Sequence, residues 1–461
     1  MGYKLTIYGV LMATFAFSTT AQSFDPYSYA PNDLLTVDVA IIGGGATGSY
    51  AAVTLLDMNH SVVVVEQSAI LGGASRTYID PITGSPIDFG VQVYQNTDIA
   101  LDFFNRLNVT TTSNIPASYN TTVYAHFPSA NILNWAPSSD FTAYIEQLDK
   151  YPWMTYTSNV ADPVPEDLTI PMSSFVDKYE LSDVAYSIFA VYGASLTDSP
   201  SFGVLVDAGL AEFTEANNVS SVVGGNGQLY REASKVLGSR VVPNSTVTEA
   251  RRSQNQTDIT SLVINGANGQ KLIQAKRLLI TIPTSQSNMD AFNPDDKEME
   301  IFRDFYSAGY YVGVARLAQG VLPPKTRFQN ADPNAAYHIV PPPALIYIQP
   351  SSVENLYRFQ FYTADVLSED VAKSDSQAAL EEFVNAFANT SSTEIEIVAF
   401  RSTSPWRSRL RGKAIEAGSW RKMYDLQGYR NTWYTGVQFL PGSSQLWNYT
   451  ASLIPDIVSG L

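Results

Sequence analysis

No cysteine occurs in the 461-residue chain, so disulfides, a thiolate nucleophile, a cysteine-ligated metal and a cofactor tethered through cysteine are all excluded. Histidine is almost as scarce. His60, His126 and His338 stand alone, none in a metal-ligand or triad pattern, so no metal is expected. Basic runs are missing too: 28 Lys and Arg face 44 Asp and Glu, for a net charge of -16. A nucleic-acid backbone needs clustered cations, so that class of partner is set aside. Long apolar runs are absent except Leu5 to Phe17, which is too short to span a bilayer comfortably. With Lys4 before it and Thr19-Thr20-Ala21 after it, that run reads as a signal peptide over residues 1–21. An uncleaved anchor, or lipidation at Gly2 with Thr6, are the competing readings. The expectation is therefore the secretory-pathway lumen or secretion, with no stable membrane span. Asn-x-Ser/Thr sequons at Asn59, Asn108, Asn120, Asn218, Asn244, Asn255, Asn389 and Asn448 agree with it. Asn59 abuts an apolar strand and is expected to go unused.

What is present describes a globular protein: 45% of residues are hydrophobic and 16% charged. This length predicts two or three lobes rather than one core. After a polar, proline-bearing leader at 22–36, Val37 to Ile42 is a continuous apolar run of the kind that fills a parallel sheet buried on both faces. A helix follows from about Ala46 to Met58, then a second strand, Ser61 to Glu66, completing a β-α-β unit. Residues from about 100 to 220 are aromatic-rich and broken by prolines, with helices expected over Asp98 to Leu107 and Ser174 to Tyr192. Further strands are expected near Arg240 to Val242, Ile259 to Ile264 and Arg277 to Ile282, and a closing helix from about Ser444.

The turn between the first strand and its helix reads Gly43-Gly44-Gly45-Ala46-Thr47-Gly48, a G-x-G-x-x-G spacing. Gly43 permits the tight turn, Gly45 admits a pyrophosphate against the backbone, and Gly48 lets helix and strand pack closely. Ala46 and Thr47 open the helix, whose free N–H groups and dipole favour phosphate. Glu66 ends the second strand, roughly 20 residues on, where a carboxylate meets ribose hydroxyls. These residues together specify a dinucleotide, and leave FAD and NAD both open.

The next segment, Leu71-Gly72-Gly73-Ala74-Ser75-Arg76-Thr77, followed by Ile87-Asp88-Phe89-Gly90, resembles the flavin-containing amine oxidase superfamily. There a glycine pair with arginines and a threonine follows the ribose-binding acid and runs along the pyrophosphate toward the flavin ring. The resemblance implies FAD and assigns Gly72, Gly73 and Arg76 to it. The family's first arginine is Ala74 here, which leaves the pyrophosphate to Arg76 and backbone. Pro243 to Val247 is similar to the family's adenine-contacting segment and suggests Val247. Thr432-Trp433-Tyr434-Thr435-Gly436 is similar to its closing flavin segment, with a helix starting near Ser443 or Ser444. The stretches LGGASRTY, SPIDFG, VVGGNGQL, LLITIPTSQ and GYRNTWYTG narrow the likeness to fungal β-cyclopiazonate dehydrogenase-like FAD-dependent oxidoreductases.

The implied fold is mixed α/β and α+β: a Rossmann-type FAD-binding domain interleaved with a substrate domain, as in amine oxidase-like two-domain flavoproteins. The expected FAD-binding segments are 37–100, 222–288 and 402–461, with substrate-binding segments 101–221 and 289–401. The implied activity is hydride removal from a secondary-metabolite intermediate, polycyclic or terpenoid, coupled to ring closure. A peroxide-producing amine oxidase and a flavin-binding protein without turnover are the alternatives. Many amine oxidases of this superfamily carry a lysine water-bridged to flavin N5; the matching stretch, Gly309 to Val314, has none, which favours a dehydrogenase. No catalytic residue emerges from the sequence. Tyr310, Tyr311, Trp433 and Trp447 are candidate pocket walls, each weighed against ordinary core packing.

Overall fold

The computed structural model describes residues 24–461 apart from 116, 193–198, 216, 253–258, 268 and 391. The expected signal segment, 1–21, lies outside the described residues.

Two sheets organise the chain. In the first, the strand Leu34–Ile42 lies between Val62–Val65 and Gly269–Ile280, parallel to both. Its last four residues and all of Val62–Val65 are buried, as a strand covered on both faces requires. It begins at Leu34 rather than Val37, because Leu34, Leu35 and Thr36 keep pairing in register with Leu272, Ile273 and Gln274. Val241–Val242 extends the parallel order beyond Val62–Val65. On the other side Gly269–Ile280 changes partners along its length. Its first half makes an antiparallel meander with Thr260–Gly266, and Leu278 to Ile280 run parallel to Thr432–Tyr434. The helix Ala46–Asp57 covers this sheet and is itself covered by the closing helix Ser443–Val458. Trp447, fully buried, stacks on Tyr94 at 5.5 Å and donates from Nε1 to Ala46 O at 3.0 Å.

The second sheet is mostly antiparallel, in the order Ile395–Ser402, Phe305–Leu317, Leu356–Thr363, Ala344–Pro350, Thr326–Asn330, Thr121–His126, Asn131–Ile132. One face carries the helix Glu369–Ala388, whose Leu380, Phe383 and Val384 pack with Phe127 and Phe328. The strand Trp406–Leu410 falls in a segment expected with the FAD-binding lobe, yet it pairs with Phe305–Leu317. That strand is long enough to pair with Ile395–Ser402 along one half and Trp406–Leu410 along the other.

Helices join the sheets. Asp98–Arg106 forms where its apolar spacing predicts. The single helix expected over Ser174 to Tyr192 is two, Met172–Lys178 and Ser182–Tyr192. Glu180, at φ 55°, breaks the run between them. Asn59 is exposed in a left-handed turn at φ 65°, so its neighbouring strand does not hide it. Among the described residues no helix is long and apolar enough to cross a membrane.

Candidate functional site

The glycine turn sits at the C-terminal edge of the first sheet. Gly43 N–H donates to Val65 O at 2.8 Å, and a Cβ on Gly48 would overlap the Gly43 carbonyl oxygen. Only glycine therefore lets the helix start this close to the strand. Ala46 and Thr47 form its first turn, and no side chain caps it at Gly45, so its leading N–H groups are left for a ligand. Gly45 faces Gly73 across the gap, where even an added Cβ would stand 3.7 Å from Gly73 Cα. Gly72 N–H donates to Gly44 O at 2.8 Å, which fastens the second glycine pair to the first turn.

Glu66, buried at the end of its strand, accepts from Gly44 N–H at 2.7 Å through Oε2 and from Ser68 N–H at 2.7 Å through Oε1. Its backbone joins the adenine-side segment as well: Ser245 N–H donates to Glu66 O at 2.9 Å. Ser245 begins the strand that carries Val247, and a bulge follows Val247. Gly436 lies against Thr281, whose carbonyl oxygen would be 2.6 Å from a Cβ there. Thr281 is a residue that sequence reasoning missed. Its hydroxyl donates to the carbonyls of Ile42 and Gly43 at 2.8 and 3.0 Å, so it locks the turn to the end of Gly269–Ile280.

Arg76 is 7% exposed and its Nε has no acceptor. Burial, then the charge of Arg401, push its guanidinium down to about 10, against the opposing pull of Glu66. Arg401 reaches in from the second sheet and donates to Ser68 Oγ at 2.8 Å, the same hydroxyl that Arg76 approaches at 3.5 Å. Nothing local in the sequence signals this, since Arg401 and Ser68 are 333 positions apart. The site therefore has a second cation although the family's first arginine is Ala74. This set fits FAD. An uncapped helix start and the glycine-floored gap would take the pyrophosphate, Glu66 the ribose, and Arg76 with Arg401 the phosphate charge.

The chain beyond the glycine pair leads to a cavity. Thr77 Oγ1 donates to Asp88 Oδ1 at 2.5 Å, and Asn226 ties the same stretch down through Asp88 and the Val91 carbonyl, each at 2.8 Å. Burial raises the Asp88 carboxyl above its ordinary range, against these hydrogen bonds. Arg358 donates to Asp88 O at 3.2 Å and Gln92 Oε1 at 2.6 Å, and with Gln92 it borders a cavity of about 560 Å³. Tyr119, Arg327, Tyr347 and Gln360 form other parts of the lining.

None of the four aromatic candidates lines this cavity, although Tyr310 is close enough to Tyr347 and Arg327 to feel their charge. Trp447 braces the glycine-turn helix, and Tyr311 packs beside Phe361 and Phe400 while its hydroxyl bonds both to Leu367 N–H and to Leu367 O. Trp433 is buried on the strand next to Gly269–Ile280, and Tyr310 packs at the seam of two apolar clusters. The aromatic walls are Tyr119 and Tyr347, from a loop and a strand whose sequences carry no motif.

A family model described as an NAD(P)-binding Rossmann-like domain matches residues 41–107. Among solved structures, a CLA-producing fatty acid isomerase from P. acnes superposes with a TM-score of 0.70 at 15% identity, over 93% of this chain and 100% of that one. Putrescine oxidase superposes at 0.60 and 15% identity, over 92% of this chain and 100% of that one. These likenesses establish the amine oxidase-like fold. In sequence the chain is 34% identical to the FAD-dependent oxidoreductase dbaF of Emericella nidulans, over 97% of both chains. It is 27% identical to the β-cyclopiazonate dehydrogenase of Aspergillus flavus, over 93% of this chain and 94% of that enzyme. The likeness runs nearly end to end, and the chain belongs to the fungal FAD-dependent oxidoreductases.

Proposed function

We propose that this oxidoreductase removes a hydride from a polycyclic or terpenoid intermediate of a fungal secondary-metabolite pathway and that this oxidation is coupled to ring closure. The observation that carries the reading is the near full-length sequence similarity to a named dehydrogenase, β-cyclopiazonate dehydrogenase. FAD, when bound, supplies the two-electron acceptor, so the chain need only position a C–H bond and exclude water. The cavity beside Asp88 to Gln92 serves that end: its size is that of a small-ligand pocket. The strand Phe305–Leu317 also carries no lysine, unlike the matching strand in many amine oxidases of the superfamily.

The test uses purified FAD-loaded protein under anaerobic conditions. A pathway intermediate is expected to bleach the flavin absorbance and to yield a product lighter by two hydrogens. Aerobic incubation with putrescine or cyclohexylamine is expected to give no peroxide. Peroxide with these amines would establish the amine oxidase reading instead, and a flavin that no pathway intermediate reduces would establish the non-catalytic one.

We further propose entry into the secretory pathway. Asn59, Asn108, Asn120, Asn218, Asn244, Asn389 and Asn448 are all exposed, and Asn255 lies outside the described residues. Protein from the native host should shift in mobility on endoglycosidase treatment; an unshifted band would end the proposal.

A further inference from the structure

The lining of the cavity is cationic, and no carboxylate balances it. Arg327 and Arg358 both border it, and among the described residues no aspartate or glutamate does. Arg358 is held by neutral acceptors: the Asp88 carbonyl, the Gln92 carboxamide, and Ser118 Oγ at 3.4 Å. Arg327 donates to Tyr119 OH at 3.1 Å and lies over the Tyr347 ring, 4.6 Å from its centroid. Among the described residues neither guanidinium forms an ion pair, and the Nε of each is buried without an acceptor. The nearby Asp88 carboxylate is already engaged by Thr77 and the Asn226 N–H. Burial lowers the Arg358 guanidinium and the charge of Arg327 adds to that effect, against the opposing pull of Tyr347, Asp88 and Tyr119.

Two guanidiniums brought together without a directly bonded carboxylate, at the wall of a cavity, are costly unless something negative completes them. Tyrosine rings and amides hold their geometry, but neutral groups leave the charge uncompensated. Guanidinium is also the cation best shaped to pair with a planar oxyanion. The rest of the lining suits the body of such a ligand. Tyr119, Tyr347, Ile115 and Ala190 offer flat and apolar surface, while Gln349 and Gln360 add polar contacts.

We propose that this cavity selects a substrate bearing a delocalised oxyanion, a carboxylate or an ionised enol, which Arg327 and Arg358 bind. It rests on the reading of the chain as an FAD-dependent oxidoreductase of a small molecule, and adds the charge class of that molecule. A protonated amine is disfavoured by the same two cations.

The experiment is calorimetric titration of the FAD-loaded protein with three probes of one shape: naphthoate, naphthamide and naphthylmethylammonium. Naphthoate should bind about tenfold more tightly than naphthamide, and the ammonium most weakly. Arg327→Gln and Arg358→Gln should each weaken naphthoate by about tenfold while leaving naphthamide within about twofold, and Arg327→Lys should keep part of the preference. Arg327 makes no bond to the Asp88–Gln92 stretch, so its variants remain informative if Arg358→Gln fails to fold. Equal binding of naphthoate and naphthamide, tighter binding of the ammonium, binding of none of the three, or a preference unchanged in Arg327→Gln would each overturn the proposal. Flavin absorbance of the same samples separates the two levels. Wild-type protein without flavin would fail the FAD reading itself, whereas flavin retained without anion preference fails only this inference.

Discussion

Two groups of arginines in this molecule, one buried and one half-buried, are built in opposite ways. Arg252 and Arg430 converge on Glu298, which is fully buried. Arg252 forms a bidentate pair with it at 2.6 and 2.7 Å, Arg430 adds 2.9 Å, and Tyr434 OH donates at 2.9 Å. These contacts join the meander, the helix Asp296–Phe302 and the strand Thr432–Tyr434, so the cluster holds the first sheet's far edge together. Arg327 and Arg358, on the second sheet, hydrogen-bond only neutral acceptors among the described residues, and both border a cavity. The first pair bonds a carboxylate directly and the second bonds none, which is the arrangement the proposed anion site requires.

The sharpest way to break this contrast is to remove the carboxylate. Glu298→Gln leaves two cations buried together, and the expected cost is about 3–5 kcal/mol of stability, read by denaturant unfolding. Arg327→Gln should cost less than about 1 kcal/mol in the same assay, because no ion pair is lost. If the two variants destabilise equally, the distinction between structural and ligand-binding arginines fails. The contrast has a pH signature as well. Burial alone would raise the Glu298 carboxyl, but hydrogen bonds and charge from Arg252 outweigh it and hold the group below its ordinary value. A carboxyl lowered in the folded state contributes stability that is present above its unfolded pKa and lost as pH falls through the folded one. Wild-type stability should therefore fall as the medium is acidified below the ordinary glutamate range, and Glu298→Gln should flatten that slope. A wild-type slope that Glu298→Gln leaves unchanged would place the acid-sensitive groups elsewhere.

The two arginine groups also mark how far sequence could see. The β-α-β unit was legible because its signals are local: an apolar run, a glycine spacing, an acid at the end of the next strand. Gly43 to Gly48, Glu66 and the pair at Gly72 lie together in space as they do along the chain. The cavity was not legible. Its lining draws on Ile115, Ala117, Ser118 and Tyr119, the helix residue Ala190 and strands from 327 to 360, and sidedness within that sheet decides which residues face it. Tyr310 and Tyr311 were candidates because they lie on the strand expected near the flavin, but Tyr311 turns toward Phe361 and Phe400. The split near Glu180 was missed for a similar reason, since a non-glycine residue at positive φ leaves no compositional mark.

Arg76 and Arg401 fall between the two classes, and that makes them a fine test of the contrast. They share Ser68 Oγ, and Glu66 lies close by but bonds the backbone N–H groups of Gly44 and Ser68 rather than either guanidinium. Arg401 has a further acid, Glu369, only at 4.0 Å and half exposed, where solvent screens the attraction. If open charge marks a ligand, Arg401 contributes to FAD and not to the fold. Arg401→Gln should then leave the unfolding midpoint of the FAD-free protein nearly unchanged while weakening FAD about tenfold, or about 1.4 kcal/mol. Titration of FAD-free protein, followed by quenching of flavin fluorescence, measures it. The gap between wild type and variant should narrow as salt is raised, because Arg401 is partly exposed and its pull on phosphate is screened. An unchanged FAD affinity would assign Arg401 to the lobe contact alone. The missing arginine at Ala74 would then be made good by backbone N–H groups and Arg76.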